Sequence, residues 1–331
     1  VKNRILSSTF FFFLFIISCL SFTKCSTSNT AEISVLGVIN YPSDNLNSEE
    51  KVELGKKLFF DKRLSKDETV SCATCHVPSL AFTDGKETSD GVYGRKTTRN
   101  APSILNAAFL PKIMFDAELP TLEMQVIVPI QEHTEMGMNM KELILKLRAI
   151  PEYRDAAKEV FNREFDPWVL TRSISAYERT LISDASPFDL FYYKKQKKSL
   201  SKSAQRGWKI FSEELYCTKC HSLPNFTTFK AENNGYTTLE SEDLGRFRIH
   251  FDSSDVGKFK VPSLRNISLT APYMHDGKMK TLNEVIDFYE QGGGKVYNQS
   301  EIIKPFKLSS QEKLDLIEFL KSLEDVNPKY K

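Results

Sequence analysis

The sequence predicts a mainly α-helical chain of two modules, each interrupted by a long, loop-rich insert. Three observations carry this expectation. A five-residue pattern, Cys-x-x-Cys-His, occurs twice, at Cys72-Ala73-Thr74-Cys75-His76 and at Cys217-Thr218-Lys219-Cys220-His221. A similar amphipathic stretch precedes each copy. No run of any length alternates apolar and polar residues as a half-buried strand does.

The N-terminus reads as targeting, not fold. Lys2 and Arg4 open a positive segment, and an apolar run from Ile5 to Leu20 follows. That order predicts a secretory signal over residues 1–19. Ile16-Ile17-Ser18-Cys19 has the form of a bacterial lipobox, with Cys19 as the lipidated residue. An uncleaved membrane anchor is the alternative, and the run is short for a spanning helix. Cys25 is the poorer lipidation site because Lys24 precedes it. Residues 20–40, polar and rich in Ser and Thr, read as a tether. The expected location is the periplasm, with a lipid anchor as the only membrane contact.

The modules are expected over residues 41–193 and 199–331. A chain of 331 residues suits two domains, and its 40% hydrophobic content lets each bury a core. Net charge is +2, from 45 basic and 43 acidic residues, which gives no basis for a nucleic-acid partner. Ser48 opens one helical stretch and Ser201 the other, both suited to capping. Gly55 with Leu58-Phe59, and Gly207 with Ile210-Phe211, then fall at matching offsets. Ile174, Tyr177, Leu181 and Ile182 predict a closing helix over Val169–Ile182. Ser309-Ser310-Gln311-Glu312 predicts a capped second one, with an apolar stripe of Leu314, Ile317, Leu320 and Leu323. Lys194-Lys195-Gln196-Lys197-Lys198 reads as a solvated linker, with a docking patch as the alternative. Pro102, Pro111, Pro120 and Pro129 punctuate the first insert, and the second runs from Ser222 to Gly294. Inserts of this length usually bind or act.

Cys-x-x-Cys-His is the attachment pattern of c-type haem. The thiols add to the haem vinyl groups, and the adjacent His supplies an axial nitrogen. Four of the six cysteines and two of the five histidines are used this way. A zinc knuckle wants four ligands in one cluster, whereas these pairs lie far apart, and a redox dithiol has no use for the following His. Two covalent haems are expected, on Cys72, Cys75 and His76 and on Cys217, Cys220 and His221. Export agrees, since haem is attached to this pattern outside the bacterial cytoplasm. A helix leading into such a loop is the arrangement of a small class I cytochrome c domain.

Further motifs surround these sites. The first half carries Phe82-Thr83-Asp84-Gly85, Arg99-Asn100-Ala101-Pro102-Ser103, Pro129-Ile130-Gln131 and Glu135-Met136-Gly137. The second carries Phe259 to Asn266, Ala271-Pro272-Tyr273-Met274-His275-Asp276-Gly277, and Phe288 to Gly294. With them the chain resembles the bacterial dihaem cytochrome c peroxidase family, whose MauG-type members oxidise protein side chains. The resemblance spans about residues 40–325. It implies two cytochrome c-like domains facing each other, with calcium between the haems. The calcium ligands would be the Asn100 side chain and the carbonyls of Thr270 and Pro272, oxygen donors that suit this ion. It implies reduction of hydrogen peroxide to water at the N-terminal haem, with electrons from a small cytochrome c or cupredoxin. Members of the family are often homodimers.

Peroxide reduction needs a group that moves a proton between the peroxide oxygens. Asp116, Glu118, Glu123, Glu132 and Glu135 all fall in the first insert, and spacing alone does not choose among them. The resemblance selects Glu135 as the acid/base and Gln125 as the residue that orients peroxide or water. The chain departs from the well-known peroxidases in three places. Its loop from Val77 to Asn100 has no His; the place of a second axial His falls near Val92, so the first iron is expected to be held by His76 alone. His133, beside Glu135, is a distal candidate or a surface residue. The sixth ligand of the second haem, a Met in ordinary peroxidases, falls at Tyr289, as in MauG-type enzymes. Met274 and Met279 are its rivals and read as packing. Phe115-Asp116-Ala117 stands where the family often has Trp-Asp-Gly between the haems. Of the two Trp residues, Trp168 and Trp208, the latter reads as core. These departures keep two alternatives open: MauG-like oxidation of Tyr or Trp side chains on a partner protein, and a non-enzymatic dihaem electron carrier or sensor.

Overall fold

The computed structural model describes residues 34–326; the signal segment and Cys19 lie outside the described residues. Its first half contains α1 (Glu49–Phe60), α2 (Cys72–Cys75), α3 (Leu122–Gln125), α4 (Ile127–Gln131), α5 (Met140–Ala149), α6 (Pro151–Phe161) and α7 (Pro167–Glu178). Its second half contains α8 (Pro187–Tyr192), α9 (Lys202–Lys209), α10 (Phe247–His250), α11 (Leu282–Glu290) and α12 (Ser310–Lys321). The strands β1 (Ala231–Glu232) and β2 (Phe259–Lys260) pair antiparallel, the one sheet among the described residues. The chain is mainly helical with little sheet. No helix among the described residues is long and apolar enough to cross a membrane.

The two echoing stretches build the same helix crossing twice. Ser48 caps α1 by accepting from the Lys51 amide, and Ser201 caps α9 by accepting from that of Ala204. α1 packs on α7, and α9 packs on α12. A methyl group on Gly55 would lie 1.8 Å from the Ser173 carbonyl oxygen, and one on Gly207 would lie 1.9 Å from that of Asp315. Only glycine lets the backbones approach so closely.

Two expectations change. The closing helix of the first half ends at Glu178, not Ile182. Beyond it the Leu181 carbonyl accepts from the Asn106 amide, and the Ser183 amide donates to Asn106 Oδ1, so these backbone groups serve a loop contact instead of further helical turns. In α12 the Ser309–Glu312 capping box forms as expected, but Leu314 is 57% exposed. The buried face is Leu316, Ile317, Phe319 and Leu320, continued by Leu323. Asp315 turns this face inward, since Arg206 and Ser203 of α9 both bond its carboxylate.

Two large apolar clusters result, with a small third one around Ala107, Ile113 and Leu122. Leu58, Phe59, Phe82, Leu143 and Phe165 belong to the first, and Phe188, Phe211, Phe226, Phe319 and the flanking Trp208 to the second. Packing passes from one to the other between Leu181 and Phe188, ahead of the exposed run at 194–198. A second echo joins the halves. Pro102-Ser103-Ile104-Leu105-Asn106 and Pro262-Ser263-Leu264-Arg265-Asn266 fold alike, and both asparagines are buried with left-handed backbone. Asn106 Nδ2 donates to the Ser183 carbonyl and Asn266 Nδ2 to the Ser183 hydroxyl.

Candidate active site

Each Cys-x-x-Cys-His segment opens on its own cavity. The first cavity is lined by Cys72, Cys75, His76, Gln125, Glu135 and Glu178, among others. The second, larger one takes in Cys217, Cys220, His221, Tyr289 and Met274, and reaches Asn100, Phe115, Thr270 and Pro272. None of the four motif cysteines forms a disulfide. Burial raises their thiol pKa values and lowers those of both imidazoles.

Both sites fit a c-type haem. His76 Nδ1 lies 2.9 Å from the Phe82 carbonyl oxygen; His221 Nδ1 lies 3.1 Å from that of Phe226 and 3.2 Å from that of Pro262. An Nδ1–H bonded to a carbonyl leaves Nε2 with its lone pair for iron and fixes the ring. The thiols stand beside it in each cavity.

Long-range pairing sorts the carboxylates that spacing could not. Asp116 is fully buried, held by both Arg99 (3.0 and 3.1 Å) and Arg248. Glu118 pairs with Arg248. Glu123 takes both nitrogens of Arg179, at 2.6 and 3.0 Å, and the Asn45 amide. Glu132 bonds His133 and Thr134. Glu135 alone of the five has no ion pair or side-chain hydrogen bond, and it faces the first cavity with Gln125. Burial, with the Glu132 charge adding, pushes its carboxyl up to about 7.

His133 points away from this group: its side chain is 77% exposed. Val92 is fully buried, and its amide donates to the Glu135 carbonyl at 2.8 Å, so the loop without His is pinned to the residue that lines the cavity. Tyr289 is half-buried and lines the second cavity, where its hydroxyl accepts from Asn234 Nδ2 at 3.2 Å. Met274 also lines that cavity; Met279 is not among its lining residues and bonds the Tyr273 amide through its carbonyl.

The implied calcium ligands converge on the second cavity. Asn100 donates its side-chain amide to the Lys86 carbonyl at 2.7 Å, which leaves Oδ1 without a donor. Among the described residues, no hydrogen bond reaches the carbonyl oxygens of Thr270 and Pro272 either. Three uncharged oxygens without donors are the kind of set that suits calcium.

Glu178 went unread in the sequence. It lines the first cavity one turn beyond Ile174, and its Oε2 is buried without a partner. Burial, offset in part by Arg179, pushes its carboxyl up to about 8. The i, i+4 spacing of Ile174 and Glu178 was the available signal, masked by the apolar stripe beside it.

A mainly helical chain with two such cavities defines a c-type haem oxidoreductase. The di-haem cytochrome c peroxidase family profile matches residues 49–198. The chain is 35% identical to the cytochrome-c peroxidase IdrP1 of Pseudomonas sp. (strain SCT), over 93% of this chain and 90% of that one. It is 36% identical to the methylamine utilization protein MauG of Methylorubrum extorquens, over 86% and 81% of the two chains. It is 37% identical to the cytochrome c551 peroxidase of Pseudomonas aeruginosa, over 72% and 71%. Among solved structures, a MauG-like protein associated with microbial copper homeostasis superposes with a TM-score of 0.83 at 35% identity, covering 90% of this chain and 96% of that one. The chain belongs to the di-haem cytochrome c peroxidase family and is a peroxidase-type oxidoreductase, of a family that carries two c-type haems.

Proposed function

We propose that the chain reduces hydrogen peroxide to water at the haem carried by Cys72, Cys75 and His76, in the N-terminal of two facing cytochrome c-like domains. Glu135 carries this reading: a half-buried carboxyl without an ion pair or side-chain hydrogen bond, in the cavity of the first motif, beside Gln125. The haems, when bound, supply the electron-transfer chemistry. Glu135 takes the proton of incoming peroxide and returns it to the leaving oxygen, and Gln125 orients the peroxide or a water. His76 and His221 would hold the haem irons through Nε2. Tyr289 would hold the iron of the haem at the Cys217 site, as an anionic oxygen donor that favours oxidised iron. Asn100, Thr270 and Pro272 hold calcium. The electrons come from a small periplasmic cytochrome c or cupredoxin, and Cys19 carries a lipid anchor.

A MauG-like action on a partner protein is the second reading. The Tyr289 position and the absence of His from Val77 to Asn100 favour it, and Phe115 in place of Trp weighs against it. One experiment orders the readings: hydrogen peroxide is added to the oxidised, unreduced holoprotein. The expected result is an immediate change in the haem spectrum, then turnover once a reduced cytochrome is supplied. A need for prior reduction would overturn the open first site, and a silent protein would make the chain a carrier. Modification of a supplied protein, without turnover of the cytochrome, would favour the second reading.

A further inference from the structure

One tyrosine in the second cavity has a partner that the peroxidase chemistry does not use. Tyr236 is half-buried and lines the same cavity as Cys217, Cys220, His221 and Tyr289. Its hydroxyl donates to the Asp276 carboxylate, 3.0 Å from Oδ1 and 3.1 Å from Oδ2. One side chain, Asn234, connects it to Tyr289: Oδ1 accepts from the Tyr236 amide at 3.1 Å, and Nδ2 donates to the Tyr289 hydroxyl at 3.2 Å.

Tyr236 also stands midway in a continuous line of rings. In one direction its ring meets Phe288 edge-on at 5.8 Å, and Phe288 meets Tyr289 at 5.4 Å. In the other it meets His275 at 5.7 Å, and His275 stacks on Phe259 at 4.1 Å. Arg99 then lies over both Phe259 and Phe115, at 5.4 and 5.7 Å. Phenylalanine rings along this line resist oxidation. A phenol gives up an electron far more readily when a base accepts its proton in the same event, since no charged phenol forms. Asp276 is such a base, within hydrogen-bond distance.

We propose that Tyr236 is a redox-active side chain, which relays one oxidising equivalent beside the second haem site with Asp276 as its proton acceptor. This rests on the peroxidase reading, which supplies the oxidant. Hydrogen peroxide takes up two electrons and two protons on becoming two waters. The two protons come from solvent; of the two electrons, the haems, when bound, would supply one and Tyr236 the other. The O–H bond of Tyr236 breaks, its proton moves to an Asp276 oxygen, and a neutral phenoxyl radical faces a neutral carboxyl group. The reduced electron donor returns the electron, and Asp276 returns the proton.

The test is rapid freezing of the oxidised holoprotein after mixing with hydrogen peroxide, read by electron paramagnetic resonance. The expected result is an organic radical signal whose splitting collapses when the protein carries ring-deuterated tyrosine. Tyr236→Phe should lose that signal while both haems stay attached and the haem absorbance still responds to peroxide. Asp276→Asn keeps the phenol and removes the acceptor, and should also lose the signal. A tyrosyl signal unchanged in Tyr236→Phe, or none in the wild-type protein while its haems respond, would overturn the relay and leave the peroxidase reading standing. Haems that do not respond to peroxide would overturn both.

Discussion

Gly207 of α9 faces the Asp315 carbonyl of α12 so closely that a methyl group on the glycine would sit 1.9 Å from the oxygen. The neighbouring Arg206 bonds the carboxylate of the same Asp315, which opposes any widening of the crossing. Gly207→Ala is therefore expected to destabilise the holoprotein by about 3 kcal/mol, at the upper end for an overpacked contact. Denaturant unfolding of both proteins measures it. A loss within experimental error would mean that the crossing is looser than the geometry implies.

Glu135 titrates near neutrality because burial disfavours its charge. To take the proton of peroxide it must be ionised. The kcat/KM for peroxide should then rise with pH through about 7 and level off above it. Glu135→Gln should cut turnover by roughly 100-fold or more, with haem content unchanged, and should flatten that limb. Stopped-flow kinetics across pH reads both effects, and near-wild-type turnover in the variant rejects the assignment.

Tyr289 shares its cavity with Met274, and Asn234 bonds the tyrosine hydroxyl while lying 3.8 Å from the methionine sulfur. If Tyr289 is the ligand, the oxidised protein lacks a Met-to-iron charge-transfer band, and Tyr289→Phe changes the spectrum of the second haem alone. Near-infrared and visible spectra decide. A Met band in the unaltered protein would move the ligand assignment to Met274.

Asn100, Thr270 and Pro272 offer uncharged oxygens without donors where the two halves meet, since the Asn100 amide donates to the His275 carbonyl at 2.8 Å. Chelation should lower the melting temperature of the holoprotein, and calcium, not magnesium, should restore it. Asn100→Ala should behave as the chelated protein does, whatever calcium is added. A melting curve indifferent to chelator rejects the site.

Much of this was legible locally. The Cys-x-x-Cys-His segments, the caps at Ser48, Ser201 and Ser309, and the paired glycines are all read within a few residues of themselves. The roles of charged residues were not, because their partners are remote: Arg99 reaches Asp243, 144 residues away, and Arg179 reaches Glu123. Only when such pairs are made does Glu135 stand out as unpaired. Leu314 misled because apolar periodicity cannot say that the buried Asp315 defines the inner face of α12. Glu178 and Tyr236 were passed over for a related reason. One sits in an apolar stripe and the other in a loop, and each gains meaning only from a cavity built by distant segments.

Val92 has a consequence beyond its own loop. Its side chain is fully buried, and a methyl group on Gly137 would already lie 3.0 Å from it. Its amide is committed to Glu135. A larger side chain at 92 would press on Gly137 and on the backbone of the segment that carries Glu135. The packing of residue 92 and the placing of residue 135 are therefore one structural problem, although 43 residues of chain separate them.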